Sequence, residues 1–153
     1  MATQLYFIDQ GALRLWHNAD GKDITVQFFF EQQIVASFES FMLGQPSQFF
    51  IESLAPTKLF SLNKSDFDRL IKQSPQLSRY MTEFISRRFM AYTNYFLTRI
   101  QDSPEERYLD LIKHEPQILA RVPNMYIASY LGITPVSLSR IRKRIAKESP
   151  KLT

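Results

Sequence analysis

Apolar residues in the first sixty positions recur at the two-residue spacing of strands. Leu5-Tyr6-Phe7-Ile8 is a short apolar run closed by Gly11, and Leu13-Arg14-Leu15-Trp16 opens an alternation. Alternation marks a strand with one buried face, because successive side chains leave a strand on opposite sides. Asn18-Ala19-Asp20-Gly21-Lys22 separates this run from a second alternating one, Ile24-Thr25-Val26-Gln27-Phe28. Asp-Gly suits the positive φ angles of a tight turn, so the two runs are predicted to form a hairpin. Phe28-Phe29-Phe30 is read as core. After the segment from Ile34 to Phe41 and the breaker Gly44-Gln45-Pro46-Ser47, two more strands are predicted, Gln48 to Ser53 and Lys58 to Leu62.

The period then lengthens. Asn63, with Asp66 three residues on, predicts a capped helix from Lys64 to Lys72. Pro75 suits the first position of a long helix reaching to about Asp102. One stripe of that helix is Leu77, Met81, Ile85, Phe89, Tyr92, Phe96 and Ile100; a second is Tyr80, Phe84, Ala91 and Tyr95. An apolar band this wide exceeds what one-sided burial needs. One face is therefore expected on the chain's own body, and the second stripe on another copy. Ser103-Pro104-Glu105-Glu106 predicts a further helix, with Ser103 as cap and acids in the first turn, ended by Pro116.

Composition narrows the chemistry. The 153 residues include no cysteine and only two histidines, His17 and His114. Disulfides, thiol catalysis and cysteine-based metal sites are excluded, and a multi-histidine centre is not expected; no cofactor is predicted. Glu39 and His17 could be imagined as an acid–base pair, but no nucleophile or glycine-rich phosphate loop accompanies them, so no enzyme is expected. No apolar run approaches the ~18–20 residues of a bilayer span, and no leader opens the chain; a cytoplasmic protein without a membrane partner is expected. The net charge of +4 is unevenly spread. Residues 1–120 hold 12 Lys/Arg against 14 Asp/Glu, whereas residues 121–153 hold seven, Lys151 among them, against Glu148 alone. A near-neutral aromatic body thus carries a small basic head, a distribution that suits a polyanionic partner.

The head has a readable grammar. A short helix over Pro123 to Tyr130 would turn Ile127, Ala128 and Leu131 inward, with Gly132 supplying a turn and Ile133 a plug. Thr134 is expected to cap a second helix with Pro135 in its first turn, burying Leu138, Ile141 and Ile145. This is the pattern of a helix-turn-helix, whose second helix enters the major groove of double-stranded DNA. Arg140 is the candidate for base edges, since a guanidinium suits O6 and N7 of guanine. Ser137 and Ser139 would add hydrogen bonds, Val136 a methyl contact, and Arg142, Lys143, Arg144 and Lys147 phosphate contacts. Tyr126, Thr134 and Pro135 would sit near the backbone at the helix ends.

Residues 5–146 resemble the Crp/Fnr transcription regulators, the cyclic-AMP receptor protein family. The resemblance rests on Tyr6-Phe7-Ile8-Asp9-Gln10-Gly11, the Asp20-Gly21-Lys22 hairpin, Phe38-Glu39-Ser40-Phe41, the long helix, Glu105-Glu106-Arg107-Tyr108, the stretch from Tyr126 to Thr134, and Leu138-Ser139-Arg140-Ile141-Arg142. The last two stretches are similar to a branch common in Bacteroidetes-type bacteria. The resemblance implies an α+β chain with three parts: a partial β-roll sensor at 1–73, a dimerising helix at 74–102 and a winged helix-turn-helix at 103–153. It also implies a homodimer on a palindromic operator, with RNA polymerase and a small-molecule effector of unknown identity as further candidate partners. An effector pocket would involve Phe38, Glu39, Ser40, Gln48 and Phe49. The chain departs from the family in three places. It begins in mid-roll, so the roll is expected to be incomplete unless a partner completes it. The family's Gly-Glu and Arg-Ser/Thr cassette is replaced by Phe38-Glu39 and Ser47-Gln48-Phe49. A cyclic nucleotide's phosphate would then lack its arginine, and no response to cyclic AMP is expected. In the reading helix, Pro135-Val136 replaces an Arg-Glu pair while Arg140 matches a later arginine, so a different operator is expected. The chain ends soon after that helix, and the wing is expected to be short or absent. The competing reading is a ligand-binding regulatory module that acts through protein contacts.

Overall fold

The computed structural model describes residues 1–148. Strands β1 (Gln4–Gln10), β2 (Leu13–Ala19) and β3 (Lys22–Phe29) run in sequence through two tight turns. At the second turn Ala19 pairs with Lys22, and both Asp20 (φ 51°) and Gly21 (φ 86°) are left-handed. This is the Asp-Gly hairpin that the pattern predicts. Strand β4 (Ile34–Val35), helix α1 (Phe38–Leu43), β5 (Phe50–Ser53) and β6 (Lys58–Asn63) follow. They form two antiparallel sheets, ordered β4-β1-β6 and β3-β2-β5. Ile8, Leu13, Leu15, Phe29 and Val35 fill the space between them.

Two local expectations change here. The stretch from Phe38 is a helix, closed by Gly44 at φ 67°. Strand β5 begins at Phe50 rather than Gln48, because the Ser47 hydroxyl takes the Phe49 N–H at 3.0 Å and bends the chain.

Helix α2 (Lys64–Gln73) starts at Asn63, whose side chain accepts the Asp66 N–H at 2.8 Å. Helix α3 (Pro75–Gln101) starts at Ser74, which caps Leu77. Its Met81 joins Leu5, Ala36, Phe41 and Phe67 in a cluster that closes one end of the roll. Further along, α3 carries Phe89, Phe96 and Ile100 at 72, 65 and 67 % exposure. The free stripe is therefore not the one expected. Phe84 leans on Phe38 with ring centroids 5.9 Å apart, and Tyr95 stacks on Tyr130 and donates to its carbonyl at 3.1 Å. Both face their own chain, while Tyr80 and Ala91 stay exposed. Phe84 is turned inward by Phe38 of α1 and Tyr95 by Tyr130 of the C-terminal part, and both contacts are non-local.

Helix α4 (Pro104–His114) has a complete capping box between Ser103 and Glu106. Helix α4 ends at His114 before Pro116, as predicted, and Pro116 is itself the first residue of a further short helix, α5 (Pro116–Arg121), as its preset φ allows. Helices α6 (Asn124–Leu131) and α7 (Pro135–Glu148) complete the described chain. The expectation about a wing, and Lys151, lie outside the described residues.

The third core joins the two halves. Tyr108, Leu111, Ile118, Val122, Ile127, Ala128, Leu131, Leu138 and Ile141 are continuous with Ala12, Phe28 and Phe30. Of the three consecutive phenylalanines, Phe29 points between the sheets and its neighbours point out of β3 onto the C-terminal helices. Strand geometry requires this split. The outer face of one sheet is thus the floor on which the basic head sits.

Candidate nucleic-acid interface

Helices α6 and α7 are joined by a turn at Gly132, whose φ of 71° is the left-handed C-cap conformation. Ile133 returns its N–H to the Ala128 carbonyl at 2.9 Å. Ile127 and Ala128 are fully buried at the crossing, and Leu138 and Ile141 of α7 pack against them. Thr134 caps α7 by accepting the Ser137 N–H at 3.1 Å, with Pro135 first in the helix.

This packing leaves Pro135, Val136, Ser139, Arg140, Lys143 and Arg144 exposed, and Ser137 half-buried beside the Thr134 hydroxyl at 3.0 Å. The basic residues then divide. Arg142 is tied inward, its Nε to the Tyr108 hydroxyl at 2.9 Å and its Nη1 to the Asn124 side chain at 2.7 Å. Arg144 pairs with Glu105 at 3.0 Å. Among the described residues no carboxylate pairs with Arg140, Lys143 or Lys147. These three offer charge to an outside anion at least desolvation cost.

Tyr126 and Ser129 of α6 have a different occupation. The Arg14 guanidinium lies 3.8 Å over the Tyr126 ring. Ser129 Oγ accepts the Thr25 N–H at 2.9 Å and donates to the Asp23 carbonyl at 2.7 Å, capping β3 where it has no neighbouring strand. Arg14 itself is 2 % exposed and reaches Glu52 at 2.6 Å and Asp23 at 2.9 Å. No periodicity marks such a residue: an arginine in an alternating strand reads as the solvent side until a second layer is known to cover it. Burial also raises the Tyr130 and Tyr95 hydroxyls above the usual phenol range where these rings stack.

A second clasp joins head and roll. Arg121 donates to both Glu31 carboxylate oxygens at 2.7 and 2.8 Å and to the Gly11 carbonyl at 3.0 Å, while Gly11 N–H donates to Glu31 at 2.9 Å. The Arg121 bond, foremost, holds the Glu31 carboxyl at about 2, down from 4.5. A depressed folded value means the stabilisation is complete above the unfolded value and is lost as pH falls from about 4.5 towards about 2. Urea denaturation from about pH 6 to about pH 2 is expected to show an acid-sensitive component that Glu31→Gln lacks. Superimposable profiles for the two proteins would reject this role for the clasp.

Between α1, β2, β3 and α3 lies a cavity of about 640 Å³. Of the residues assigned above to an effector pocket, Phe38, Glu39 and Phe49 line it, together with Leu15, Val26, Met42, Leu43, Arg88 and Phe89. Ser40 and Gln48 do not. Ser40 is buried, bonding the Ala2 N–H and the Gln45 carbonyl, and Gln48 lends only its carbonyl to His17. Arg88, the cation in the wall, comes from the long helix α3, outside the cassette at 38–49, so a reading of that cassette does not reveal it.

The family model for the cyclic nucleotide-binding domain matches residues 1–74. No curated protein matches the chain in sequence. Among solved structures, the chain is similar to a transcriptional regulator assigned to the Crp/Fnr family from Eubacterium rectale. That match has a TM-score of 0.75, 21% identity, and covers 95% of this chain and 70% of that one. It is similar to the c-di-GMP-responsive global regulator CLP of Xanthomonas campestris at a TM-score of 0.74 and 16% identity, covering 97% and 79%. FixK2 of Bradyrhizobium japonicum gives a TM-score of 0.79 at 16% identity, covering 96% and 76%. Among the described residues no helix is long and apolar enough to cross a membrane. The chain is thus similar to the cyclic nucleotide-binding domain over residues 1–74, and it shares its overall fold with these solved regulators.

Proposed function

We propose that this chain is a sequence-specific, DNA-binding transcriptional regulator that acts as a dimer on a palindromic operator and does not respond to cyclic AMP. The observation that carries the reading is the face of α7. A capped helix presents Pro135, Val136, Ser139, Arg140 and Lys143 outward, and its free cations have no internal partner among the described residues. Helices α6 and α7 act as a helix-turn-helix, with α7 in the major groove and Arg140 on a base pair. Lys143 and Lys147 hold phosphates. Arg142 and Arg144, already engaged within the head, position it and add to its field. Tyr126 serves the contact with the roll rather than the DNA backbone.

The exposed Phe89, Phe96 and Ile100 stripe of α3 is the face offered to a second copy, and a two-fold dimer would place its half-sites about one DNA turn apart. The protein works in the cytoplasm on double-stranded DNA, and RNA polymerase is the partner through which it would change transcription.

Selection of bound sequences from a random duplex pool by the purified protein tests the reading. Recovery of a palindromic consensus is expected; retention of the pool without enrichment would overturn it. On the selected site, log Kobs is expected to fall linearly with log salt, and Lys143→Ala to reduce that slope by about one. An unchanged slope would remove Lys143 from the phosphate contacts.

A further inference from the structure

The cavity beneath α3 has a chemistry of its own. Its walls are mostly apolar side chains such as Leu15, Val26, Phe38, Met42 and Phe49; among the described residues that line it, Arg88 is the one cation and the exposed Glu39 the one carboxylate. A volume of about 640 Å³ is in the range of small-molecule sites. Arg88 Nη2 donates to Gln27 Oε1 at 2.9 Å and to the Tyr92 hydroxyl at 2.8 Å. Both acceptors are neutral, and Tyr92 in turn donates to Gln27 at 2.8 Å, which fixes the pair.

Among the described residues no carboxylate pairs with Arg88, and its Nε and Nη1 hydrogens have no acceptor. Its guanidinium sits 5.2–5.6 Å from the ring centroids of Phe29, Phe38, Phe84 and Tyr92. Aromatic faces hold a cation in place without neutralising it. The result is a half-buried guanidinium, oriented by Gln27 and ring contacts, with donors to spare at an apolar cavity.

We propose that this cavity binds a small amphipathic monoanion, an apolar aliphatic or aromatic body bearing one carboxylate, which Arg88 anchors. The unused Nε–H and Nη1–H donors each allow a charge-assisted hydrogen bond to a carboxylate oxygen. The apolar body would replace water against the cavity wall. A cyclic nucleotide would instead set most of its base nitrogens against aliphatic and aromatic walls, where Ser37, Glu39 and Tyr92 are the polar side chains besides Arg88. The inference rests on the reading of the chain as a DNA-binding regulator and adds an effector of stated class to it.

Calorimetric titration of the full chain with 4-phenylbutyrate and with decanoate tests it, alongside the matched amides and cyclic AMP. Saturable binding of an acid is expected, with its amide and cyclic AMP each weaker by about tenfold or more. Arg88→Gln is expected to lose about tenfold for the acid and nothing for the amide. Leu43→Trp, which fills the cavity from its exposed rim, is expected to weaken the acid too. If Arg88→Gln fails to fold, the acid–amide difference on the unaltered chain decides the matter. Equal binding of acid and amide, tighter binding of cyclic AMP, or no binding of either acid would each overturn the proposal. Duplex binding by the same preparation is measured separately. Ligand binding without DNA binding would sink the regulator reading alone, and DNA binding without ligand binding would sink this inference alone.

Discussion

Arg140→Ala is expected to weaken binding to the selected operator by about ten- to a hundredfold at fixed salt and to relax preference at one base pair per half-site. A good bidentate arginine–base contact supplies ~1–3 kcal/mol of discrimination against the wrong base. Two features of the structure place Arg140 at the upper part of that range. It is exposed on the outward face of α7, and among the described residues no carboxylate competes for its guanidinium. Arg142, only two residues on, is the internal control, because it is bonded to Tyr108 and Asn124. Arg142→Ala should therefore lower the stability of the head and leave the base preference intact. Competition gel shifts with operators altered one pair at a time measure both. Uniform weakening across all sequences in Arg140→Ala would move that residue to the phosphate contacts.

The second large effect concerns folding. The double substitution Asp23→Asn with Glu52→Gln is expected to destabilise the chain by ~3–5 kcal/mol, because it strands a buried guanidinium without its counter-charges. Arg14 is 2 % exposed, whereas Asp23 and Glu52 keep 44 and 41 % of their side-chain surface. The asymmetry predicts the opposite experiment as well. Arg14→Met removes the buried charge, and the two carboxylates left behind can hydrate. It should therefore cost clearly less than the double change, despite deleting the contact with Tyr126. Urea denaturation of the three proteins at neutral pH ranks them. A double variant as stable as the parent would show that Arg14 finds water or another acceptor, and the roll–head contact would lose its electrostatic account.

Much of the fold is local and so is legible. The Asp20-Gly21 turn, the Asn63 and Ser103 caps, Pro75 and Pro104 at first helical positions, and the Gly132–Thr134 turn each follow from side chains acting on their own backbone. The free face of α7 is legible for the same reason, since a capped amphipathic helix has only one face left once Leu138 and Ile141 are turned inward. The misreadings have a common cause. Tyr95 and Phe84 were apolar positions on a two-sided helix, and nothing in their spacing says which side the rest of the chain will return to. Pro116 follows the end of α4, as expected, but it also opens helix α5, which only the packing of Ile118 and Val122 into the head core reveals.

Residue type and spacing by themselves determined the hairpin, the capped helices α2, α3 and α4, the segregation of positive charge into the last part of the chain, and the amphipathic pair that ends it. These are properties of neighbours within a few positions, where side-chain chemistry and backbone geometry leave little choice. Only the tertiary structure decided that Phe28 and Phe30 are covered by the head, that Arg14 is a buried anchor, that Tyr126 faces the roll, and that Arg88 stands unpaired at an apolar cavity. Each of these depends on segments some 60 to 110 positions apart meeting on one surface, as Thr25 meets Ser129 and Arg121 meets Glu31. Burial and pairing of a charge are set by that meeting, because the same arginine is a solvated surface group or a fixed cation according to what covers it.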